Sequence, residues 1–341
     1  MYKFSENIRI ADRLIGDHHP LFIIAEAGVS HFGSLEKAKR LVDLAVEAKA
    51  DAVKFQIYRT EELISKESFE WIGRLKTKEL PFEAFHKIKS YCESRGIIFF
   101  ATAHDKKSLE CLDDLDVPVY KIGSGEIDNW SFLKLVASRG KPVILSTGMY
   151  TMKKISQALD TFMEVDVRDI ALLHCVTQYP TPPQDVNLRA MESIRKKFNI
   201  IVGYSDHTEG YHFPLVAAAL RASIIEKHIS LDFNVPNAQD WKVSCGPEDF
   251  CLMVKQIREI EEGMGSGIKK PGRNEMKSIA WARKSLIAAD EIVEGETITH
   301  TKIAFKRPGT GIPPCDVDKV IGKKATKTIH KDMMIKWEDI N

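Results

Sequence analysis

Along most of this chain, short apolar runs alternate with longer amphipathic stretches, and the alternation repeats eight times. The runs fall at residues 21–25, 52–57, 97–101, 117–122, 142–145, 170–173, 199–202 and 222–225. Val, Ile, Leu and Phe dominate them with little polar interruption, which predicts strands buried on both faces. The second run differs: it alternates, and so points Lys54 and Gln56 the same way. Between the runs, apolar residues at helical spacing predict helices at 34–48, 81–95, 106–115, 188–197, 213–221 and 247–264, with two more ending at 138 and 164. Ser34 is the expected cap of the first. Lys37 stands where a capping box needs Glu or Gln, so the box is incomplete. A short hairpin is expected near the N-terminus, from Ile8-Arg9-Ile10 to Asp17-His18-His19-Pro20, and residues 58–80 form a longer excursion.

Eight strand-then-helix units predict an α/β fold, a closed (β/α)8 TIM barrel over residues 1–267. An open doubly wound sheet is the alternative, but it normally has fewer units and a phosphate-binding G-x-G-x-x-G, which is missing after the first strand. Residues 268–284, with their Gly, Lys and Pro, read as a linker. Over 285–341, short alternating runs such as Ile303-Ala304-Phe305 are broken by Gly and Pro and predict a small β-rich domain. A unit of about 55 residues is marginal alone, so it is expected to dock on a barrel, its own or a partner's.

The active site of such a barrel lies at the C-terminal ends of its strands. Those ends carry Glu26, Lys54, Gln56, Thr102, Lys121, Ser124, Ser146, His174, Ser205, His207, Glu226 and His228. Lysines with small hydroxyls and Gly-flanked backbone N–H groups suit a phosphate or carboxylate. A lysine Schiff base is an alternative, although neither Lys54 nor Lys121 has a dedicated acid–base partner in the sequence. His207 and His228 end neighbouring strands and suit a shared divalent metal polarising a carbonyl oxygen; the same spacing also fits two ordinary core or surface histidines. A phosphate cradle, such a metal and a carboxylate together point to carbon–carbon bond formation with a phosphorylated enol.

Charge and composition narrow the partners. A net charge of +1 over 341 residues argues against a dedicated nucleic-acid binder. The charge is uneven: from Ile268 onward 15 Lys and Arg face 10 Asp and Glu, a net of +5 against −4 for the rest. A basic tail on an acidic body suggests docking or an anionic substrate, and solvated surface lysines account for it equally well. No run approaches the roughly 18 apolar residues of a membrane span. The six cysteines hold no C-x-x-C pair, and the start at Met1-Tyr2-Lys3-Phe4-Ser5-Glu6 lacks the apolar core of a signal peptide. A cytoplasmic protein with reduced thiols is expected.

Several motifs then sharpen the reading. Ile24-Ala25-Glu26-Ala27-Gly28, Val53-Lys54-Phe55-Gln56, Tyr120-Lys121-Ile122-Gly123-Ser124-Gly125-Glu126, Leu145-Ser146-Thr147-Gly148-Met149, Tyr204-Ser205-Asp206-His207-Thr208 and Glu226-Lys227-His228 closely resemble the sialic acid synthase family. Lys306-Arg307-Pro308-Gly309-Thr310-Gly311-Ile312 resembles that family's C-terminal antifreeze-like (β-clip/SAF) domain. The resemblance covers nearly the whole chain. It implies a transferase that condenses phosphoenolpyruvate with an N-acetylated hexosamine, such as N-acetylmannosamine, releasing phosphate and giving a nine-carbon 2-keto sugar acid. By the same resemblance, His207 and His228 hold Mn2+ or Mg2+, and Lys54, Thr102, Lys121, Ser124, Ser146 and Ser205 bind phosphoenolpyruvate. Gln56, Glu126, Tyr179 and Asp240 face the sugar. Arg307 reaches it from the other subunit of a homodimer with swapped C-terminal domains. Glu26 is expected to stabilise the developing cation and to move the proton of the attacking water.

Two departures bear on the acceptor. Thr177 stands where the family often has Asn, and Ala238-Gln239-Asp240-Trp241 replaces a common Gly-Pro-Asp-His pattern. Both fall at the expected sugar pocket. A diacetamido-trideoxyhexose, leading to a legionaminic- or pseudaminic-type acid, is therefore the rival acceptor, and neutral drift accounts for the departures as well. Outside the enzymes, the rival is a non-catalytic carbohydrate-binding or spore-coat-type structural protein; intact Glu26, Lys54, His207 and His228 argue against it.

Overall fold

Eight parallel strands close on themselves in the computed structural model, which describes residues 3–236, 238 and 240–341. Met1, Tyr2 and Gln239, named above, lie outside the described residues. A two-stranded hairpin, β1 (Ile8–Ile10) and β2 (Arg13–Ile15), precedes the barrel. It turns earlier than the sequence pattern suggests, and Ile8, Ile10 and Ile15 join the main core. The guanidinium of Arg13 pairs with Asp51, so the hairpin sits at the N-terminal ends of the strands, away from the mouth.

The barrel strands are β3 (Phe22–Gly28), β4 (Ala52–Ile57), β5 (Ile98–Ala103), β6 (Tyr120–Ile122), β7 (Val143–Ser146), β8 (Ile170–His174), β9 (Ile201–Asp206) and β10 (Ile224–His228). They pair in chain order, and β10 closes against β3. All seven residues of β3 are buried, as expected for a strand covered on both faces. Within β9, Gly203 is the residue the closure needs: a Cβ there would lie 2.4 Å from the Ile224 carbonyl oxygen.

Helices α1 (Leu35–Glu47), α2 (Thr60–Leu63), α3 (Phe69–Lys76), α4 (Phe82–Arg95), α5 (Lys106–Asp114), α6 (Trp130–Ala137), α7 (Met152–Met163), α8 (Arg189–Phe198), α9 (His212–Ala219) and α10 (Pro247–Met264) fill the connections. The Ser34 hydroxyl accepts from the Lys37 N–H and caps α1 without the missing glutamate. The pair α2 and α3 occupies the long excursion after β4, which the apolar pattern alone leaves unassigned.

The chain divides into two compact units, Met1–Gly265 and Ser266–Asn341. Helix α11 (Met276–Ala282) falls within the stretch that reads as a linker, because its Ile279-Ala280-Trp281-Ala282 run is good helix material. In the second unit, β11 (Ser285–Ala288) and β12 (Ile303–Lys306) pair antiparallel. Isolated bridges and 3-10 turns wrap them around a core that includes Leu286, Ile298, Val320, Ile329 and Ile335. Among the described residues, no helix is long and apolar enough to cross a membrane.

Candidate active site

Side chains from seven strand ends, with Thr177 and Tyr179 from the loop after β8, meet in a cavity of about 180 Å3. Alternation along each strand decides which of them reach it. At the end of β9, Ser205 and, one residue beyond the strand, His207 line the cavity while Tyr204 and Asp206 turn away; on β10, Glu226 and His228 line it while Lys227 turns away. Register sets the neighbours. Glu26 pairs with His228 on one side and Lys54 on the other, and Thr102 lies between Gln56 and Lys121.

Two cations and two carboxylates are buried together here. Lys54 Nζ lies 2.9 Å from Glu26 Oε2 and 3.5 Å from Glu226 Oε2, and it donates to Thr102 Oγ1 at 3.2 Å. Lys121 Nζ donates to Ser146 Oγ at 2.6 Å and stands 3.8 Å from Glu226 Oε1. Ser205 donates to that same carboxylate oxygen at 2.8 Å, and Gln56 donates to Glu26 Oε1 at 2.9 Å. Each lysine is thus held against a hydroxyl, the arrangement that a phosphate or carboxylate can take over.

Environment separates the two carboxylates. Burial disfavours charge on both. For Glu226 the flanking Lys121 and Lys54 win, and its carboxyl is held down at about 2. For Glu26 burial outweighs Lys54, so its carboxyl is raised above the ordinary value and takes up a proton more readily. Burial pulls Lys121 down, whereas the two carboxylates beside Lys54 more than offset its burial. The cluster therefore contains a fixed anion at Glu226 and a carboxyl suited to proton transfer at Glu26.

Glu226 stands at a strand end in the sequence without an evident role, yet it is the hub of this cluster. The signal for it was its spacing: it precedes His228 by two residues, as Ser205 precedes His207. His104 and Thr177 also line the cavity. The remaining histidines do not. His174 Nε2 lies 2.8 Å from the Val186 carbonyl, and His31 is buried beside Phe55.

His207 and His228 face the same cavity with ring centroids 5.5 Å apart. Burial lowers the pKa of both, that of His228 to about 3, so both rings are neutral and hold a lone pair for a metal. His228 Nδ1 is buried with no hydrogen-bond partner. Two neutral, converging imidazoles, one with an unsatisfied nitrogen, fit a divalent metal held by two protein ligands. Among the described residues no group of three His, Cys, Asp or Glu gathers in metal-binding geometry, so a metal held here would take its other ligands from substrate or water.

Of the other expected site residues, Ser124 and Tyr179 line the cavity. Ser124 Oγ accepts from the Gly148 N–H at 2.9 Å and lies 3.2 Å from Cys175 Sγ. A Cβ on Gly148 would come within 2.2 Å of Thr177 Oγ1, so this glycine admits both hydroxyls to the wall. Tyr179 stacks on His207. Glu126 lies outside the lining, buried, with its carboxylate accepting from Asn129 at 2.6 Å. Asp240 begins a 3-10 turn outside the lining, and its charge acts on His228 and Tyr179. Arg307 belongs to the second unit, its guanidinium 5.4 Å from the Trp281 ring centroid.

Comparison with known proteins identifies the family. The sequence matches the NeuB family over residues 41–269 and the SAF domain over residues 283–341. An uncharacterised protein of Methanocaldococcus jannaschii is 43% identical over 98% of this chain and 99% of its own length. The N,N'-diacetyllegionaminic acid synthase of Campylobacter jejuni is 39% identical over 92% of this chain and 98% of its own. The crystal structure of an N-acetylneuraminic acid synthetase from Leptospira borgpetersenii, in complex with citrate, superposes with a TM-score of 0.75 at 36% identity, covering 82% of this chain and 97% of that one. The chain belongs to the NeuB family, and it carries a SAF domain at its C-terminal end.

Proposed function

We propose that this chain condenses phosphoenolpyruvate with an N-acetylated hexosamine and water, giving a nine-carbon 2-keto sugar acid and phosphate. Family membership makes it a transferase of the nonulosonic acid synthase class. The observation that carries the reading is the cluster itself: two buried lysines, each against a hydroxyl, beside a carboxyl whose pKa burial raises and two neutral histidines.

In this reading Lys54, Thr102, Lys121, Ser124, Ser146 and Ser205 hold the phosphate and carboxylate of phosphoenolpyruvate. Ser205 and Ser146 turn their hydroxyls from Glu226 and Lys121 to the substrate. His207 and His228 would hold Mn2+ or Mg2+, which when bound would supply Lewis acidity toward the open-chain aldehyde of the sugar. Gln56, Glu126, Tyr179 and Asp240 orient that sugar, and Arg307 reaches it from the swapped C-terminal domain of a partner copy.

The methylene carbon of the enol attacks the aldehyde carbon, and positive charge develops at the carbon bearing the phosphate. Ionised Glu26 stabilises that charge and accepts a proton from the water that adds there. Collapse of the tetrahedral adduct breaks the carbon–oxygen bond to phosphate and leaves the 2-keto acid, one proton of the added water passing to the former aldehyde oxygen and the other leaving with phosphate. Burial suits Glu26 to this exchange because it brings the carboxyl closer to the pH at which it must both hold and release a proton.

The test is phosphate release from phosphoenolpyruvate across a panel of N-acetylated hexosamines. Release should require a sugar, stop with a chelator and return with Mn2+ or Mg2+. No release with any sugar in metal-replete protein would favour the non-catalytic carbohydrate-binding reading. Within the panel, a diacetamido-trideoxyhexose competes with N-acetylmannosamine as acceptor. Thr177 in the cavity wall and the likeness to the legionaminic acid synthase support it.

A further inference from the structure

His207 is held from both sides. Its Nδ1 lies 2.7 Å from the Val176 carbonyl oxygen, so that nitrogen carries the ring proton and donates it. The lone pair is then on Nε2, the nitrogen a metal ion would take. Yet Nε2 already has a partner: Tyr179 Oη lies 2.9 Å away, and against a bare ring nitrogen a phenol donates. The Tyr179 ring stacks on His207 at 4.2 Å between centroids and meets His228 edge-on at 5.8 Å, so it stands against both proposed ligands.

We infer that the Tyr179 hydroxyl is a placeholder on the ligating nitrogen of His207, satisfying it in the metal-free protein and leaving it when a metal binds. This rests on the two-histidine metal reading above. A buried ring nitrogen without a partner is costly, so the hydrogen bond stabilises the metal-free site and must be given up on loading. The backbone of this loop is tied down, because the Thr181 N–H donates to the carbonyl of His207 itself at 2.7 Å. The exchange is therefore a rotation of the Tyr179 side chain. The released hydroxyl is free for the acceptor sugar, so metal loading and acceptor binding are coupled, each favouring the other.

The experiment titrates Mn2+ alone into the metal-stripped full chain by calorimetry, comparing wild type with Tyr179→Phe. Removing one net hydrogen bond from the metal-free state should tighten Mn2+ binding by about three- to tenfold. His207→Ala should lose binding. A Tyr179→Leu variant carries the same expectation where the Phe variant does not fold. Wild-type binding that His207→Ala abolishes, with Tyr179→Phe equal or weaker, overturns the placeholder and leaves the two-histidine reading standing. No Mn2+ binding, or binding indifferent to His207→Ala, overturns both.

Discussion

Consecutive residues on β10, Glu226 and Lys227, are both buried charges, and they have opposite characters. Lys227 is fully buried with Asp206 of β9 at 2.5 Å, and it also donates to the Thr208 carbonyl oxygen at 2.7 Å. Asp206 accepts in addition from the Tyr204 hydroxyl and from the N–H and hydroxyl of Thr208. That network is saturated and turned away from the cavity. Glu226 faces two lysines at 3.5 and 3.8 Å, beyond good hydrogen-bond range, and its Oε2 has no hydrogen-bond partner. Burial of charge therefore does not mark the site. Incomplete satisfaction beside a cavity does, because the missing partners are those a ligand can supply.

The largest expected effect breaks the reactive side of this contrast. Glu26→Gln keeps the shape and the contact with Gln56 but removes the carboxylate, and kcat should fall by about 10²- to 10⁴-fold. Phosphoenolpyruvate affinity, measured by calorimetry, should change little. Near-normal turnover would move the proton transfer to another group. Lys227→Met probes the saturated side. It strands Asp206 as a buried unpaired anion and should destabilise the fold by about 3–5 kcal/mol, read by urea unfolding. Adding Asp206→Leu should recover most of that loss. A fold as stable as wild type after Lys227→Met would mean that the pair is not structural.

The sequence carries the periodicity of this architecture better than its partnerships. Eight largely apolar runs announced eight strands, alternation pointed Lys54 and Gln56 the same way, and strand ends gathered Ser205 and His207 with them. The same alternation applied to 224–228 would have separated Glu226 from Lys227. What it could not supply is which charges pair across strands, since Lys54 meets Glu226 through barrel closure, 172 positions along the chain. Nor could it show that Glu126 turns to Asn129, or that the Tyr179 hydroxyl meets His207, because loop conformation decides both. The excursion after β4 was opaque for a simpler reason: Phe69 and Trp71 of α3 stay exposed, so α3 lacks the buried stripe that makes a helix readable.

A third kind of buried group lies between the two extremes. His31 accepts from the Gly33 N–H at 3.1 Å, but its Nε2 is buried without a partner, and burial lowers its pKa to about 4. The folded-state value lies below that of the unfolded chain, so the unfolded chain takes up the proton first as pH falls. The contribution to stability is complete above about pH 6.5 and is lost as pH falls towards 4. Near pH 5 the loss from this residue should reach about 2 kcal/mol. His31→Gln should flatten the decline measured by urea unfolding between pH 7 and pH 5 by that share. An unchanged slope would assign the acid sensitivity to other groups, among them His104, which burial also lowers to about 4.

The smallest effect tests whether the two faces of the wall are independent. Tyr204→Phe removes one donor from Asp206, at 2.7 Å, and leaves Lys227 and Thr208 in place. A carboxylate that keeps its cation and its other donors should lose only about 1 kcal/mol. Tyr204 adjoins Ser205 in the chain but faces the other way, so kcat and the affinity for phosphoenolpyruvate should stay within about twofold of wild type, since a shift of a few tenths of a kcal/mol is all that a relaxed strand would transmit. A tenfold loss of turnover with stability unchanged would show that the saturated network holds Ser205 and Glu226 in register, and that the outer face of β9 and β10 belongs to the catalytic apparatus after all.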